Sequence, residues 1–130
     1  YRYEVDMAVV QSNIPSAVGT AVHVVTQPFK DGVADAELAS SGAGTLYAVE
    51  VDNTLNTATT YFKMYDTAGA VTVGTTTPTM ILMCPGSKKI QYTFDVGITI
   101  SAGITVVAVT QGGEGGTTTP SGTVTMRILD

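Results

Sequence analysis

The sequence predicts an all-β protein, an antiparallel β-sandwich of the jelly-roll kind with about eight strands, and three observations predict it. Val, Thr and Gly dominate the chain, Thr alone filling about one position in six, while runs of Ala, Leu, Glu and Lys are sparse. β-branched side chains lose rotamer freedom in a helix and pack well on a pleated surface. The apolar residues also fall into short runs, several with strict alternation, which is the strand period. Gly, Pro, Asn and Ser separate those runs, as they do in a sandwich or barrel. At 130 residues the chain makes one domain.

The elements follow in order. Residues 1–19 read as a possible extended arm, within which 3–10 offers a possible strand. The first clear strand is 20–26 (TAVHVVT). Residues 27–44 read as a long connection or second arm, with Pro28, Gly32, Gly42 and Gly44 as breakers, and 33–39 (VADAELA) as the only plausible helical turn. In 45–52, Leu46, Ala48 and Glu50 alternate with Tyr47, Val49 and Val51; in 59–66, Tyr61, Lys63 and Tyr65 oppose Phe62 and Met64. Residues 66–78 form a loop or edge hairpin, followed by strands at 79–83, 88–95, 98–100 and 104–110. A Gly-rich loop at 111–121 precedes the last strand, 122–129. The tetrapeptide TTTP recurs at 75–78 and 117–120. Two copies of four residues make no repeat architecture, and they read as two similar turns at strand starts, where Pro fixes φ and interrupts a ladder.

Composition removes several function classes. Only 13% of residues are charged, about half the usual ~25%, and the net charge is −5. Six scattered Lys and Arg residues do not make the basic cluster that neutralises phosphates, so nucleic acid is not an expected partner. One Cys excludes an internal disulfide and a Cys-based zinc site; one His removes most acid–base and metal chemistry. No apolar run is long enough to span a membrane, and no signal-peptide pattern opens the chain. The first residue is Tyr1, which suggests a processed product or part of something longer. So few charges cover a free monomer poorly, which points to burial of surface against other copies or a larger assembly, with Thr and Ser hydroxyls as the alternative covering.

Each residue with potential chemistry has a plain structural reading beside it. His23 has no second His to share a metal, and Asp52 with Asn53 supplies too few oxygens for a Ca²⁺ loop; His23 reads as a strand residue. Cys84 ends an apolar run, without the base or helix N-terminus that activates a thiol, and reads as a small buried residue. GGEGG at 112–116 lacks the following helix and Lys of a phosphate cradle and reads as a hairpin loop. Lys88 and Lys89 read as a solvated strand start, with an intersubunit ion pair as the functional alternative. Tyr61, Phe62 and Tyr65 read as core and edge packing rather than a carbohydrate platform. No carboxylate pair lies beside the Trp-rich cleft usual for sugar cleavage, so catalysis is not expected.

Three segments carry a pattern: VDNTLNTATTYFKMYD (51–66), GTTTPTMILMCPG (74–86) and GITISAGITVVAVTQGGEGGTTTPSGTVTMRIL (97–129). Its elements are Asn53 and Asn56, Tyr61 to Tyr65, Gly74 to Pro78, Pro85–Gly86, and Thr110 to Gly122. This resembles small β-rich virion structural proteins of tailed bacteriophages, over roughly residues 45–129. The resemblance implies a particle component and not a catalyst. It would be a capsid decoration or cement protein on the phage capsid surface, touching the major capsid protein and other copies of itself, with a trimer as the expected oligomer. No cofactor, metal, membrane or nucleic acid is expected. The alternatives are a tail, fibre or spike module binding a host receptor or glycan, and a surface-layer or filament subunit. The expected interface residues lack self-contained core patterning: Tyr1, Tyr3, Val5, Met7 and Val9 at the start, Pro28 and Phe29 in the connection, and Gly112, Gly113, Gly115 and Gly116 in the Gly-rich loop. An arm of this kind could add a strand to a neighbour's sheet edge.

Overall fold

The computed structural model describes residues 22–27 and 36–130. The expected strand at 3–10, and the interface positions Tyr1, Tyr3, Val5, Met7, Val9, Pro28 and Phe29, lie outside the described residues. The described residues form eight strands: β1 (Val22–Gln27), β2 (Glu37–Ser41), β3 (Gly44–Asp52), β4 (Thr60–Asp66), β5 (Met80–Cys84), β6 (Lys89–Ile100), β7 (Gly103–Val109) and β8 (Val124–Leu129). They form two four-stranded antiparallel sheets, ordered β1-β8-β3-β6 and β2-β7-β4-β5. The order follows from one nested set of partners, β1 with β8, β2 with β7, β3 with β6 and β4 with β5. A long hairpin whose arms pair in this way and roll into two sheets is a jelly roll. Among the described residues there is no helix, hence none long and apolar enough to cross a membrane.

The alternation decides which side chains enter the space between the sheets. Leu46, Val49 and Val51 of β3 and Val124, Met126 and Ile128 of β8 face Phe62 and Met64 of β4 and Ile104, Val106 and Ala108 of β7 in one buried cluster. Their neighbours on β3 and β8 turn outward, so Glu50, Asp52, Thr125 and Arg127 line the outer face of the first sheet. The second sheet departs from that rule. Every residue of β7 is buried, on both faces. Tyr65, Val107 and Val109, on its outer side, pack against Val71 and Val73 of the β4–β5 loop in a separate apolar cluster. The loops 67–79 and 110–123 therefore make a third layer over this sheet.

Two expectations are corrected. Residues 37–41 belong to neither an arm nor a helical turn; they form β2, so 27–44 is not one continuous connection. Glu37-Leu38-Ala39-Ser40-Ser41 has little strand propensity, and its strand state comes from pairing with β7, with a bulge between Leu38 and Ser40. The expected strands 88–95 and 98–100 are one twelve-residue strand, β6. Its register jumps from Leu46↔Ile98 to Ala48↔Thr93, one residue of β3 against four of β6. Gly97 sits in this bulge at φ +77°, and a Cβ there would lie 2.3 Å from Thr45 Cγ2, so the glycine that looks like a strand break permits the bulge.

Candidate functional site

The residues of the sequence pattern converge on two places in the fold. At the first, the side chain of Asn53, fully buried just after β3, ties three chain segments together. Its Nδ2 donates to the carbonyls of Ala58 (2.9 Å), Cys84 (3.1 Å) and Pro85 (3.1 Å). Its Oδ1 accepts from Asn56 Nδ2 (2.9 Å) and Thr60 Oγ1 (2.8 Å). Asn56 continues the network: Nδ2 donates to Gly122 O at 3.1 Å, and Oδ1 accepts from Gly122 N at 2.6 Å. Two glycines of the pattern, Gly86 and Gly122, are required by contact here. A Cβ on Gly86 would lie 1.9 Å from Thr57 O, and one on Gly122 would lie 2.7 Å from Leu55 O. The N-x-x-N, P-G and P-S-G elements thus form a staple joining the β3–β4, β5–β6 and β7–β8 connections. The buried backbone groups of these loops need partners, and the amides supply them.

The second place centres on Lys63, which is 0% exposed. It lies on the outer side of β4, where the alternation sends it under the Gly-rich loop. Its Nζ donates to Glu114 O (2.8 Å) and Gly116 O (2.7 Å). Thr77, from the other covering loop, hydrogen-bonds the Glu114 carboxylate. Burial pushes the Lys63 ammonium below its ordinary pKa, opposed by the Glu114 charge. The two loops also approach where Gly74, just before the first TTTP, meets Thr117 of the second: a Cβ on Gly74, at φ +89°, would lie 2.5 Å from Thr117 Cγ2. Gln111 Oε1 accepts from Thr117 N (3.2 Å) and Thr118 N (3.1 Å), which closes the loop on itself. Beside Lys63, burial raises the Tyr65 pKa, and its buried hydroxyl has no hydrogen-bond partner.

The remaining candidates take structural places. His23, half-buried on β1, meets Asp130 Oδ1 through Nε2 at 2.9 Å. Cys84 is fully buried, its thiol pushed up in pKa by burial. Lys88 and Lys89 are exposed at the start of β6, with Lys89 opposite Asp52 in register. Phe62 is core, Tyr65 lies under the covering loop, and Tyr61 is half-buried with its ring close to Gly112. Asp66 closes the turn after β6: its carboxylate accepts from the backbone N–H groups of Ser101 (2.8 Å), Ala102 (2.8 Å) and Gly103 (3.3 Å). Those donors, Ser101 first, hold its carboxyl below the usual range.

Of the expected interface glycines, Gly112, Gly113 and Gly115 are exposed on the outside of the loop. Gly116 is buried at its root, where a Cβ would lie 2.5 Å from Gln111 O, so it shapes the loop and presents no surface. Reading the sequence for chemistry passed over Asn53, Asn56 and Lys63 as interior polar groups. The available signal was Lys63 on the side of β4 that faces away from Phe62 and Met64, followed by two Gly/Thr-rich loops long enough to fold over that side. Among the described residues no three His, Cys, Asp or Glu side chains lie close enough to hold a metal ion. Comparison with protein-family models, curated proteins and solved structures found no match.

Proposed function

We propose that this chain is a virion structural protein, a capsid decoration or cement protein that stabilises a phage head shell through protein–protein contacts. The observation that carries the reading is the eight-strand jelly roll, ordered β1-β8-β3-β6 and β2-β7-β4-β5, an architecture shared by viral capsid domains, lectins and cupins. A fold hosts many functions, so the choice among these rests on the site. No metal-ligand cluster of the cupin kind is found among the described residues. The space between the sheets near Leu46, Met64, Met80, Ile98, Ile100 and Ile104 is apolar and too small for a ligand. Every aromatic side chain among the described residues is buried or half-buried, which disfavours the exposed aromatic tip expected of a receptor- or glycan-binding fibre module. Low charge and the resemblance of residues 45–129 to phage virion proteins favour the shell.

The contact is with the major capsid protein and with other copies of this chain, and it needs no catalytic group. Many weak contacts repeated over a shell give high avidity without a deep pocket. The test is to locate the chain on intact particles by cryo-electron microscopy. Density at capsomer joints or three-fold positions is the expected result. Density on the tail or a spike would replace the reading with the fibre module, and a helical array of this chain alone would leave a filament subunit.

A further inference from the structure

Among the described residues Lys63 is the one charged side chain that is fully buried, and the segment lying over it is thinly fastened. That segment, residues 111–117 (QGGEGGT), carries no apolar side chain and has glycine at 112, 113, 115 and 116. Apolar burial of its own side chains therefore does not hold it down, and fixing glycines costs more backbone entropy than fixing other residues. Its ties to the rest of the fold are polar. Lys63 Nζ donates to Glu114 O at 2.8 Å and to Gly116 O at 2.7 Å, and Thr77 hydrogen-bonds the Glu114 carboxylate. Thr110 N–H donates to Thr118 O at 2.8 Å, and Gln111 Oε1 accepts from Thr117 N and Thr118 N. The segment is thus closed across its base and moves as one piece.

Two costs are built into the closed form. The Lys63 charge is taken out of water, and the groups that accept its protons are neutral carbonyls. Burial lowers its pKa, with the Glu114 charge opposing. Tyr65 lies two residues further along β4, on the same side; it is buried, and its hydroxyl has no hydrogen-bond partner. Leaving a buried hydroxyl unpaired costs more than a typical hydrogen bond returns. Both costs are relieved when water enters. The strand beneath does not share this balance, since β4 is paired on both sides, by β5 and β7. We infer that residues 111–117 form a strap that swings off β4, hinged at Thr110 and Thr118, while both sheets stay folded, and that this motion bares the Lys63 amine and the Tyr61 ring beneath Gly112. Local opening of this kind belongs to segments with few buried apolar contacts. The strap is a gate on an amine: closed, Lys63 is out of reach of an acyl donor, and open, it is a nucleophile. The device stands apart from the proposed function and holds whichever surface the chain presents to a partner.

The test treats the full chain with N-hydroxysuccinimidyl acetate at fixed pH and reads each lysine by peptide mass spectrometry over time. The amine takes the acetyl group and N-hydroxysuccinimide leaves. Lys88 and Lys89, exposed at the start of β6, serve as references, and the rate at Lys63 relative to theirs gives the fraction of molecules with the strap open. Amide protection in β3 and β8 gives the fraction globally unfolded. The open fraction is expected to exceed the unfolded fraction by about tenfold or more, with little dependence on urea below the unfolding transition. Thr77→Val, at an exposed position, removes a tie and speeds Lys63 acetylation about threefold or more. Tyr65→Phe removes the unpaired hydroxyl and slows it about threefold or more. Circular dichroism and the melting temperature establish that the variants are folded; should Tyr65→Phe not fold, Thr77→Val carries the comparison. An open fraction equal to the unfolded fraction overturns the inference, because the strap then opens only with the whole fold. Lys63 reacting as fast as Lys88 also overturns it, since the amine is then not gated, as does Tyr65→Phe leaving the rate unchanged or raising it.

Discussion

Replacing Asn53 by Ala removes one side chain that holds three loops. Its two amide hydrogens are shared among the carbonyls of Ala58, Cys84 and Pro85, and its oxygen accepts from Asn56 and Thr60. Asn56 retains Gly122 as a partner, but the buried Thr60 hydroxyl loses the acceptor it donates to. A net hydrogen bond contributes about 1 kcal/mol, and a buried polar group left unpaired costs about 1–3 kcal/mol. Asn53→Ala should therefore cost about 4 kcal/mol, a large share of the roughly 5–15 kcal/mol that stabilises a domain. With a urea slope of about 2 kcal/mol/M, the unfolding midpoint falls by about 2 M at unchanged slope. Asn53→Asp is worse at neutral pH, since it sets a carboxylate against three carbonyl oxygens. Thr60→Val separates the parts: alone it costs about 1 kcal/mol, and in the double variant with Asn53→Ala most of that cost disappears, a coupling of about 1 kcal/mol. A midpoint shift below about 0.5 M for Asn53→Ala would refute the view that this amide holds the loops.

Other substitutions test neighbouring claims. Gly86→Ala places a Cβ 1.9 Å from the Thr57 carbonyl; the turn must open, and the expected loss of about 3 kcal/mol or more is read in the same urea titration. Lys63→Met leaves Glu114 O and Gly116 O without their donor, so amide exchange at 112–116 should accelerate while the exchange of β3 and β8 stays slow; uniform acceleration would count against a local latch. Asp66 has a folded pKa below its ordinary 3.8, so its stabilisation is complete above 3.8 and is lost as pH falls through the lower folded value. The melting temperatures of wild type and Asp66→Asn should accordingly differ at neutral pH and converge in acid; a gap that stays constant would reject the nest of Ser101, Ala102 and Gly103 as its source. The Cys84 thiol, buried and raised in pKa, should resist alkylation in the native protein and react on unfolding, and rapid native labelling would contradict that placement.

Strands with strong period-two patterning were legible within one or two residues: β3, β4, β5, β7 and β8 lie where alternation and β-branched runs put them. β2 was not legible, because its residues carry no strand signal and acquire the state only by pairing with β7. The continuity of β6 was hidden by Gly97, since a glycine in a bulge and a glycine in a turn look alike in one dimension. The candidate site divides in the same way. The Asn, Gly and Pro positions were visible as a pattern, but their purpose was not. Hydrogen-bond partners such as Asn56 and Gly122 are 66 residues apart, and no local rule couples them.

By itself the sequence determined the fold class, because side-chain branching and a period of two are local properties that bias each segment before any contact forms. It also determined that the surface would be poor in charge. Only the tertiary structure decided that both sides of β7 are buried, that Lys63 is covered by backbone carbonyls, and that Glu50, Asp52 and Arg127 share the outer face of the first sheet. Each of these depends on which segments distant in the chain are brought together. Rolling the nested hairpin into two sheets sets those neighbours, and the loops 67–79 and 110–123 cover the apolar outer side of the second sheet.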